Sequence, residues 1–523
     1  MYSGLGDIVR SGAVQTPDKP AIIYQDGTVL TYTEFDRRTN RVANMLAAAG
    51  LKRGERLALL ARNSPFFLEV VFGAAKLGIA CAMLNWRLSP PELTYIFEDC
   101  DPAALVIDHA LIGAIDSGAL PIIELEGPAG PAAYETRLAA VSDADPGVPV
   151  SRDDVAFLIY TSGTTGKPKG AVTTHGNLAH NIGLDSPELP RWVQMRSDDV
   201  QLVSHPLFHI GAMEQVLRAL GTGATMVLHR DFDTAMVVAD IVRHGITIIG
   251  LVPTAINMLL REPSLEQAEI STLRRVTYGA SPMPRDLLLE TAARFGCDMV
   301  QFYGMTETSG TFAMLGPDEH IDPANPRLRS AGSAIFGAGM RIVGPDGTVL
   351  GPHEAGEISI HFSGVIAGYW QRPDATAEAI GADGWLRTGD AGVIDADGFV
   401  YIRDRIKDMI ITGGENVYPA EVESAIFGHP SVAEVAVVGV PHPRWTEAVK
   451  AVVVAKPGHD IDPDEIIAFA RTRIAGFKLP RSVDVVAELP KNASGKILRR
   501  TIRAGYWEGH ESAATLLTDP QGA

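Results

Sequence analysis

Cysteine is almost absent from this chain. Its three cysteines, Cys81, Cys100 and Cys297, are odd in number and far apart, with no C-x-x-C pair and no His/Cys metal spacing. That pattern argues against a disulfide framework or zinc module and for thiols buried in a reducing compartment, so a cytoplasmic location is expected. Excess positive charge is missing as well. Lys plus Arg number 45 against 63 Asp plus Glu, a net charge of −18. A chain this acidic is a poor nucleic-acid binder and lacks the basic patch that firm anchoring on anionic lipid requires. Small anionic ligands stay open, because local basic clusters survive a global deficit. Long apolar runs are missing too. The most apolar stretch, Gly245 to Leu260, is interrupted by Pro253 and Asn257 and is too short to span a bilayer. It reads as a buried strand followed by a helix, and no integral membrane association is expected. Residues Met1 to Asp7 show no basic stretch leading into an apolar run, so no secretory leader is expected.

What is present is a large, soluble-type composition. The 523 residues are 46% apolar and 21% charged, too many for one core and suited to two or more domains. The first third alternates helix and strand signals. Thr31-Tyr32-Thr33-Glu34 has capping-box spacing, and Phe35, Val42, Ala43 and Leu46 follow at helical intervals towards Gly50. Arg56 to Ala61 reads as a strand, and Asn63-Ser64-Pro65 opens a helix that stops near Gly78. Further strands are expected at 105–107 and 246–252. Repeated strand–helix–strand units imply parallel sheets covered by helices. Beyond Gly339 the pattern changes to short alternating runs with turns at Gly344-Pro345-Asp346-Gly347 and Asp395-Ala396-Asp397-Gly398, a small antiparallel unit. Strands at 433–440 and 450–455 and a helix at 464–474 place a small α+β domain after a boundary near 404–408. Residues Glu511 to Ala523 are expected to be poorly ordered.

The strongest chemical signal follows the apolar strand Val155 to Ile159. It is Tyr160-Thr161-Ser162-Gly163-Thr164-Thr165-Gly166-Lys167-Pro168-Lys169-Gly170. Glycines let backbone N–H groups approach an anion, hydroxyls add donors and lysines add charge, which together suit a polyphosphate. It is not a Walker loop, because only two residues separate Gly163 from Gly166 and Pro168 follows Lys167. A solvated hairpin is the bland alternative for any such loop.

This loop resembles the phosphate-binding signature of the adenylate-forming superfamily, which includes acyl-CoA synthetases, peptide-synthetase adenylation domains and beetle luciferases. Further blocks resemble that family in its own order. Gly279-Ala280-Ser281 resembles the adenine-side loop. Tyr303-Gly304-Met305-Thr306-Glu307-Thr308 resembles the block in which Tyr stacks on adenine, Thr contacts phosphate and Glu serves Mg²⁺. Thr388-Gly389-Asp390 resembles the ribose-binding block. Arg405-Ile406-Lys407-Asp408 resembles the hinge block, with Arg405 on the nucleotide and the hinge near Lys407. Pro490 to Lys496 resembles the final block, whose last lysine reaches the acyl carboxylate and the α-phosphate. The resemblance implies an α/β fold: a large N-terminal domain of helix-covered sheets with a small β-barrel-like unit (1–405) and a small mobile α+β C-terminal domain (406–523).

Physical chemistry agrees with the implied roles. Joining a carboxylate to an α-phosphorus brings two anions together and needs cations more than a base. Lys496 supplies mobile positive charge, Glu307 a hard ligand for Mg²⁺, and Asp390 an acceptor for two hydroxyls. Taken singly, Glu307 reads as a surface carboxylate, Asp390 as a turn residue and Lys496 as a solvated lysine. His205-Pro206-Leu207-Phe208-His209 resembles the block bordering the acyl pocket. His209 stands where amino-acid-activating relatives carry an Asp for the substrate ammonium, so an α-amino acid is not expected; a core histidine is the competing reading, above all for His205. Gly413-Gly414-Glu415-Asn416-Val417 resembles the glycine stretch lining a pantetheine tunnel, and Trp445, Phe477, Arg481 and Arg87 sit where some aryl-CoA ligases contact the nucleotide end of coenzyme A. Leu479 departs from that pattern. The expected reaction is acid plus ATP to acyl-adenylate and pyrophosphate, then transfer to coenzyme A. The rivals are a ligase that loads a carrier protein, a luciferase-type oxygenase and a non-catalytic scaffold. A homodimer stays open.

Overall fold

A computed structural model describes residues 2–125, 132–161, 167–183, 190, 192–281, 283–335, 337–405, 408–412, 415–442, 445–491 and 496–508. Local signals act where the sequence places them. Thr31 caps the helix Tyr32–Ala48 in a full capping box with Glu34, and Phe35, Val42, Ala43 and Leu46 are all buried. Ser64 accepts the Phe67 N–H, Pro65 opens the helix Pro65–Leu77, and Gly78 ends it in the left-handed region. The apolar stretch after Gly245 is a buried strand, Ile248–Leu251, and then a helix, Pro253–Leu260.

The N-terminal part carries two large sheets. In a seven-stranded sheet, Arg56–Leu60, Ala80–Met83, Ala104–Ile107 and Val155–Thr161 run parallel. In a nine-stranded sheet, Thr225–Leu228, Val200–Val203, Ile248–Leu251, Arg275–Gly279 and Asp298–Met305 run parallel in that spatial order. Their apolar side chains are covered on both faces by helices, as parallel strands require. One core joins elements of both sheets: Phe67, Phe72, Leu57 and Val106 belong to the same buried cluster as Met213, Leu217 and Met226.

The small antiparallel unit is a four-stranded sheet of Gly339–Val343, Gly356–His361, Leu386–Ile394 and Val400–Arg405. The C-terminal domain has its own core, with Val422, Ile426, Val437, Val449 and Ile466 buried between helices and a sheet built on the hairpin Val432–His442 and Thr446–Ala455. The helix read at 464–474 runs Pro463–Arg471, with Asp462 as its cap. Cys81 and Cys100 are buried and unpaired, Cys297 is half-buried, and burial pushes all three thiols up to about 12, which makes them inert. Among the described residues no helix is long and apolar enough to cross a membrane.

Candidate active site

Ligands of open parallel sheets bind beyond the carboxyl ends of the strands. Here those ends face a cleft of about 2180 Å³. Thr161 is the last residue of Val155–Thr161, Gly279 the last of Arg275–Gly279, and Tyr303 and Gly304 lie near the end of Asp298–Met305; all four line the cleft. Asp390 comes from the four-stranded sheet and Lys496 from the small domain, and they line it too.

Glu307 is the centre of this arrangement. It sits on a single 3-10 turn, Thr306–Thr308, directly after the strand, and is 8% exposed. Its Oε1 accepts the Thr161 hydroxyl at 3.2 Å and the Tyr369 hydroxyl at 2.9 Å. Among the described residues no hydrogen bond reaches its Oε2, which leaves one hard, anionic oxygen to a ligand in the cleft that Glu307 lines. Among the described residues, no group of three or more His, Cys, Asp or Glu could hold a metal alone. A lone carboxylate fits Mg²⁺, which keeps its waters and completes its shell with substrate phosphates.

Asp390 is 5% exposed and its Oδ2 accepts the Tyr303 hydroxyl at 2.6 Å, so the two residues expected at adenine and ribose are already tied. Two glycines are set by packing. A Cβ on Gly279 would stand 2.3 Å from the Phe302 carbonyl oxygen, and one on Gly304 would stand 2.1 Å from that of Gly310. Gly304 therefore serves the strand pairing as well as lining the cleft. Ala280 holds φ at +65°, a costly backbone for a residue with a Cβ, and Ala280 and Ser281 both line the cleft beside Gly279.

His209 precedes the helix Ile210–Gly221, and both His205 and His209 line the cleft. Burial holds both imidazoles down to about 4, with each other's proximity and Arg87 adding to the effect on His209. They are neutral near pH 7. Their Nε2 atoms are buried and find no hydrogen-bond partner among the described residues. A neutral ring cannot replace the carboxylate that an ammonium-bearing substrate would need.

Other expected residues lie elsewhere. Lys167 stacks on Tyr95 at 5.2 Å and Lys169 on Tyr369 at 5.3 Å, and neither lines the cleft. Trp445 is stacked on His442 at 4.3 Å with Arg481 on its ring at 4.5 Å, a separate sandwich. Phe477 is 41% exposed and does line the cleft. Arg87 lies over Trp86 beside a smaller pocket of about 180 Å³, which shares His205 with the main cleft. Ser162, Gly163, Thr164, Thr165, Gly166, Lys407, Gly413 and Gly414 lie outside the described residues, as does the side chain of Arg405, whose backbone pairs with Asp390. Sequence reading missed Tyr369. It stands in Gly368-Tyr369-Trp370, 62 residues from Glu307, and no local spacing marks it.

A family model described as AMP-binding enzyme matches residues 9–370, and one described as AMP-binding enzyme C-terminal domain matches residues 421–496. The chain belongs to the AMP-binding enzymes. A feruloyl-CoA synthase of an Amycolatopsis species is 41% identical to this AMP-binding enzyme over 507 residues, which are 96% of this chain and 99% of the relative. ScoC of Streptomyces coeruleorubidus, a fatty acid–[acyl-carrier-protein] ligase, is 39% identical and covers 95% of each chain. Among solved structures, MatB from Rhodopseudomonas palustris is 31% identical, with 98% of this chain and 100% of MatB aligned. Its ATP-bound form gives a TM-score of 0.88 and its apo form 0.77.

Proposed function

We propose that this AMP-binding enzyme is an acyl-CoA synthetase. In the first half-reaction a carboxylate oxygen attacks the α-phosphorus of ATP, the bond to the β-phosphate breaks and pyrophosphate leaves. In the second, the thiol sulfur of coenzyme A attacks the acyl carbon, the carbon–oxygen bond to phosphate breaks, AMP leaves and the thiol proton passes to solvent. The observation that carries this reading is one cleft lined by Thr306, Glu307, Asp390 and Lys496 together.

The chain's own groups take the following parts. Asp390, pre-oriented by Tyr303, accepts the ribose hydroxyls. Thr306 offers its hydroxyl to phosphate oxygens, and Thr161 does so once it releases Glu307. Lys496 offsets the charge that gathers as carboxylate and α-phosphate approach. Glu307 Oε2 would hold Mg²⁺, which when bound neutralises polyphosphate charge. Neutral His209 supplies no anion at its own position, so an acid bearing an α-ammonium group is not the expected substrate. Arg481, lying on the Trp445 ring beside the His442 stack, supplies a cation suited to the nucleotide end of coenzyme A. Residues 1–405 and 406–523 form the two domains of this proposal, with Lys407 as hinge, and a cytoplasmic location belongs to it as well.

The alternative acceptor is the thiol of a carrier protein, which the likeness to ScoC keeps in view. One experiment separates the readings. Pyrophosphate and AMP are measured with a panel of carboxylic acids, with and without coenzyme A. Acid-dependent pyrophosphate release and a coenzyme A thioester are expected. Pyrophosphate without thioester favours carrier loading over transfer to coenzyme A, and no acid-dependent pyrophosphate means that the proposal is wrong.

A further inference from the structure

Three residues after Lys496, Arg499 opens the helix Arg499–Trp507. Its guanidinium is held on two sides by different parts of the molecule. Nε donates to Glu423 Oε1 at 2.8 Å, and Nη2 pairs with Glu423 Oε2, on the helix Pro419–Phe427 of the small domain. Nη1 donates to Asp404 Oδ1 at 2.9 Å, on Val400–Arg405, the last strand of the N-terminal four-stranded sheet. Asp408 stands at 3.9 Å from the same Nη1. Asp404 is 5% exposed, and its second oxygen accepts the Ala420 N–H at 2.8 Å, in the first turn of the Glu423 helix. Burial works against the Arg499 charge, but Glu423, Asp404 and Asp408 outweigh it and raise its pKa above the ordinary value.

A forked guanidinium is a rigid, bidentate partner, so it transmits orientation as well as charge. One edge fixes Arg499 to its own domain. The other fixes that domain to the strand just before the boundary. Lys496 lines the cleft from the segment so held. A second contact agrees with this docking. A Cβ on Gly428 would stand 2.1 Å from Asp286 Oδ2, so the turn after the Glu423 helix rests directly on the helix Arg285–Phe295 of the large part. The whole arrangement is also closer to ATP-bound than to apo MatB, with TM-scores of 0.88 and 0.77.

We infer that Arg499 is a positioning residue for the adenylation half-reaction: by bridging Asp404 and Glu423 it holds the small domain in the pose that keeps Lys496 over the cleft. The inference rests on the proposed acyl-adenylate chemistry. It concerns only the step in which Lys496 acts, and an ångström of misplacement costs a reaction about 100-fold.

The test measures the two half-reactions apart: pyrophosphate release from ATP and acid, and thioester formation from supplied acyl-adenylate and coenzyme A. Arg499→Ala is expected to lower kcat for pyrophosphate release by about 100-fold, with KM for ATP and acid changed less than about 3-fold. Thioester formation is spared. Asp404→Asn keeps the Glu423 pair and is expected to show the same split, smaller in size. Arg499→Lys, which keeps the charge but loses the fork, is expected to restore activity in part. An unchanged pyrophosphate rate in both Arg499→Ala and Asp404→Asn overturns the inference. So does an equal fall of both half-reactions in Asp404→Asn, which would mark a merely structural role. Should the unaltered enzyme release no pyrophosphate with any acid while still forming thioester from acyl-adenylate, the first half-reaction of the proposed function fails, and the inference with it.

Discussion

The Tyr369 hydroxyl donates to Glu307 Oε1 at 2.9 Å, and through it a short strand, Gly368–Tyr369, orients an acidic group that lines the cleft. The same strand pairs with Lys169–Thr174, and Lys169 lies on the Tyr369 ring. One tyrosine thus touches both Lys169 and the acidic turn.

That brace predicts how two substitutions rank. Glu307→Gln removes the anionic oxygen and should lower pyrophosphate release by about 100-fold at saturating substrates. Tyr369→Phe keeps the carboxylate but frees it to turn, and should cost roughly 3- to 10-fold, about the worth of one hydrogen bond. Both should raise the Mg²⁺ concentration for half-maximal rate. Titrating Mg²⁺ in the pyrophosphate assay checks this. Wild-type rates for Glu307→Gln at low Mg²⁺ would remove Glu307 from the metal role.

Two cleft glycines should respond in opposite ways. Gly304→Ala drives a Cβ against the Gly310 carbonyl and within 2.7 Å of Thr311 Cα, backbone atoms that cannot yield. It should destabilise the fold by about 3 kcal/mol. Gly211 lies in the helix Ile210–Gly221, and its Cβ would meet nothing within 4 Å. Gly211→Ala should hold or raise Tm, since alanine favours a helix by about 1 kcal/mol. Because Gly211 lines the cleft two residues from His209, the added methyl should shift acid preference towards smaller acids. Thermal melts and kcat/KM across a size series separate the two effects.

Much of this architecture was legible from spacing. Thr31 with Glu34, Ser64 with Pro65 and Gly78, and the apolar run ending at Leu251 are decided by contacts within a few residues, and the structure places them as read. Among the described residues, the motif blocks at 279–281 and 303–307, with Asp390 and Lys496, line the cleft. Contacts between distant segments were not legible. Tyr369 with Glu307, and Arg499 with Asp404 and Glu423, depend on how sheets and domains are stacked, and no periodicity encodes that. Lys167 and Lys169 show the same limit. Loop lysines read as phosphate ligands rest on tyrosine faces supplied from residues 95 and 369.

Acid should weaken the fold through buried histidines. His175 is 1% exposed, its Nδ1 accepts the Leu5 N–H at 3.2 Å, and burial holds it down to about 4. In the unfolded chain it titrates near its ordinary 6.5. Between those values the unfolded state binds more protons, so stability falls as pH drops from about 7 to 4 and then levels off. The span corresponds to about 3 kcal/mol for His175. His205 and His209 add in the same direction. His175→Asn keeps an acceptor for Leu5 N but cannot be protonated. Its urea midpoint should be lower than wild type at pH 7.5, from lost packing, yet decline less towards pH 5. Parallel slopes for the two proteins would show that His175 is not the acid-sensitive group.

The proposed hinge gives the last prediction. On the proposed roles, Lys496 faces the α-phosphate during adenylation, whereas the thiol route passes the glycine stretch at 413–414 of the same small domain. One rigid pose is poorly suited to presenting both to a single cleft. The contacts of Arg499 and Gly428 describe one docked arrangement, so the other half-reaction needs those contacts to open and the chain near Lys407 to absorb the turn. Proline at 407 fixes its own φ and restricts the residue before it. Lys407→Pro should therefore trap one arrangement: one half-reaction stays within about 3-fold of wild type and the other falls by about 100-fold, the cost of misplaced groups. Lys496→Ala should abolish pyrophosphate release but still convert supplied acyl-adenylate to thioester. Both half-reactions are assayed in each variant, with a thermal melt to confirm folding. Equal slowing of the two steps in folded Lys407→Pro would mean that one arrangement serves both, and loss of both steps in Lys496→Ala would give that lysine a part in thioester formation as well.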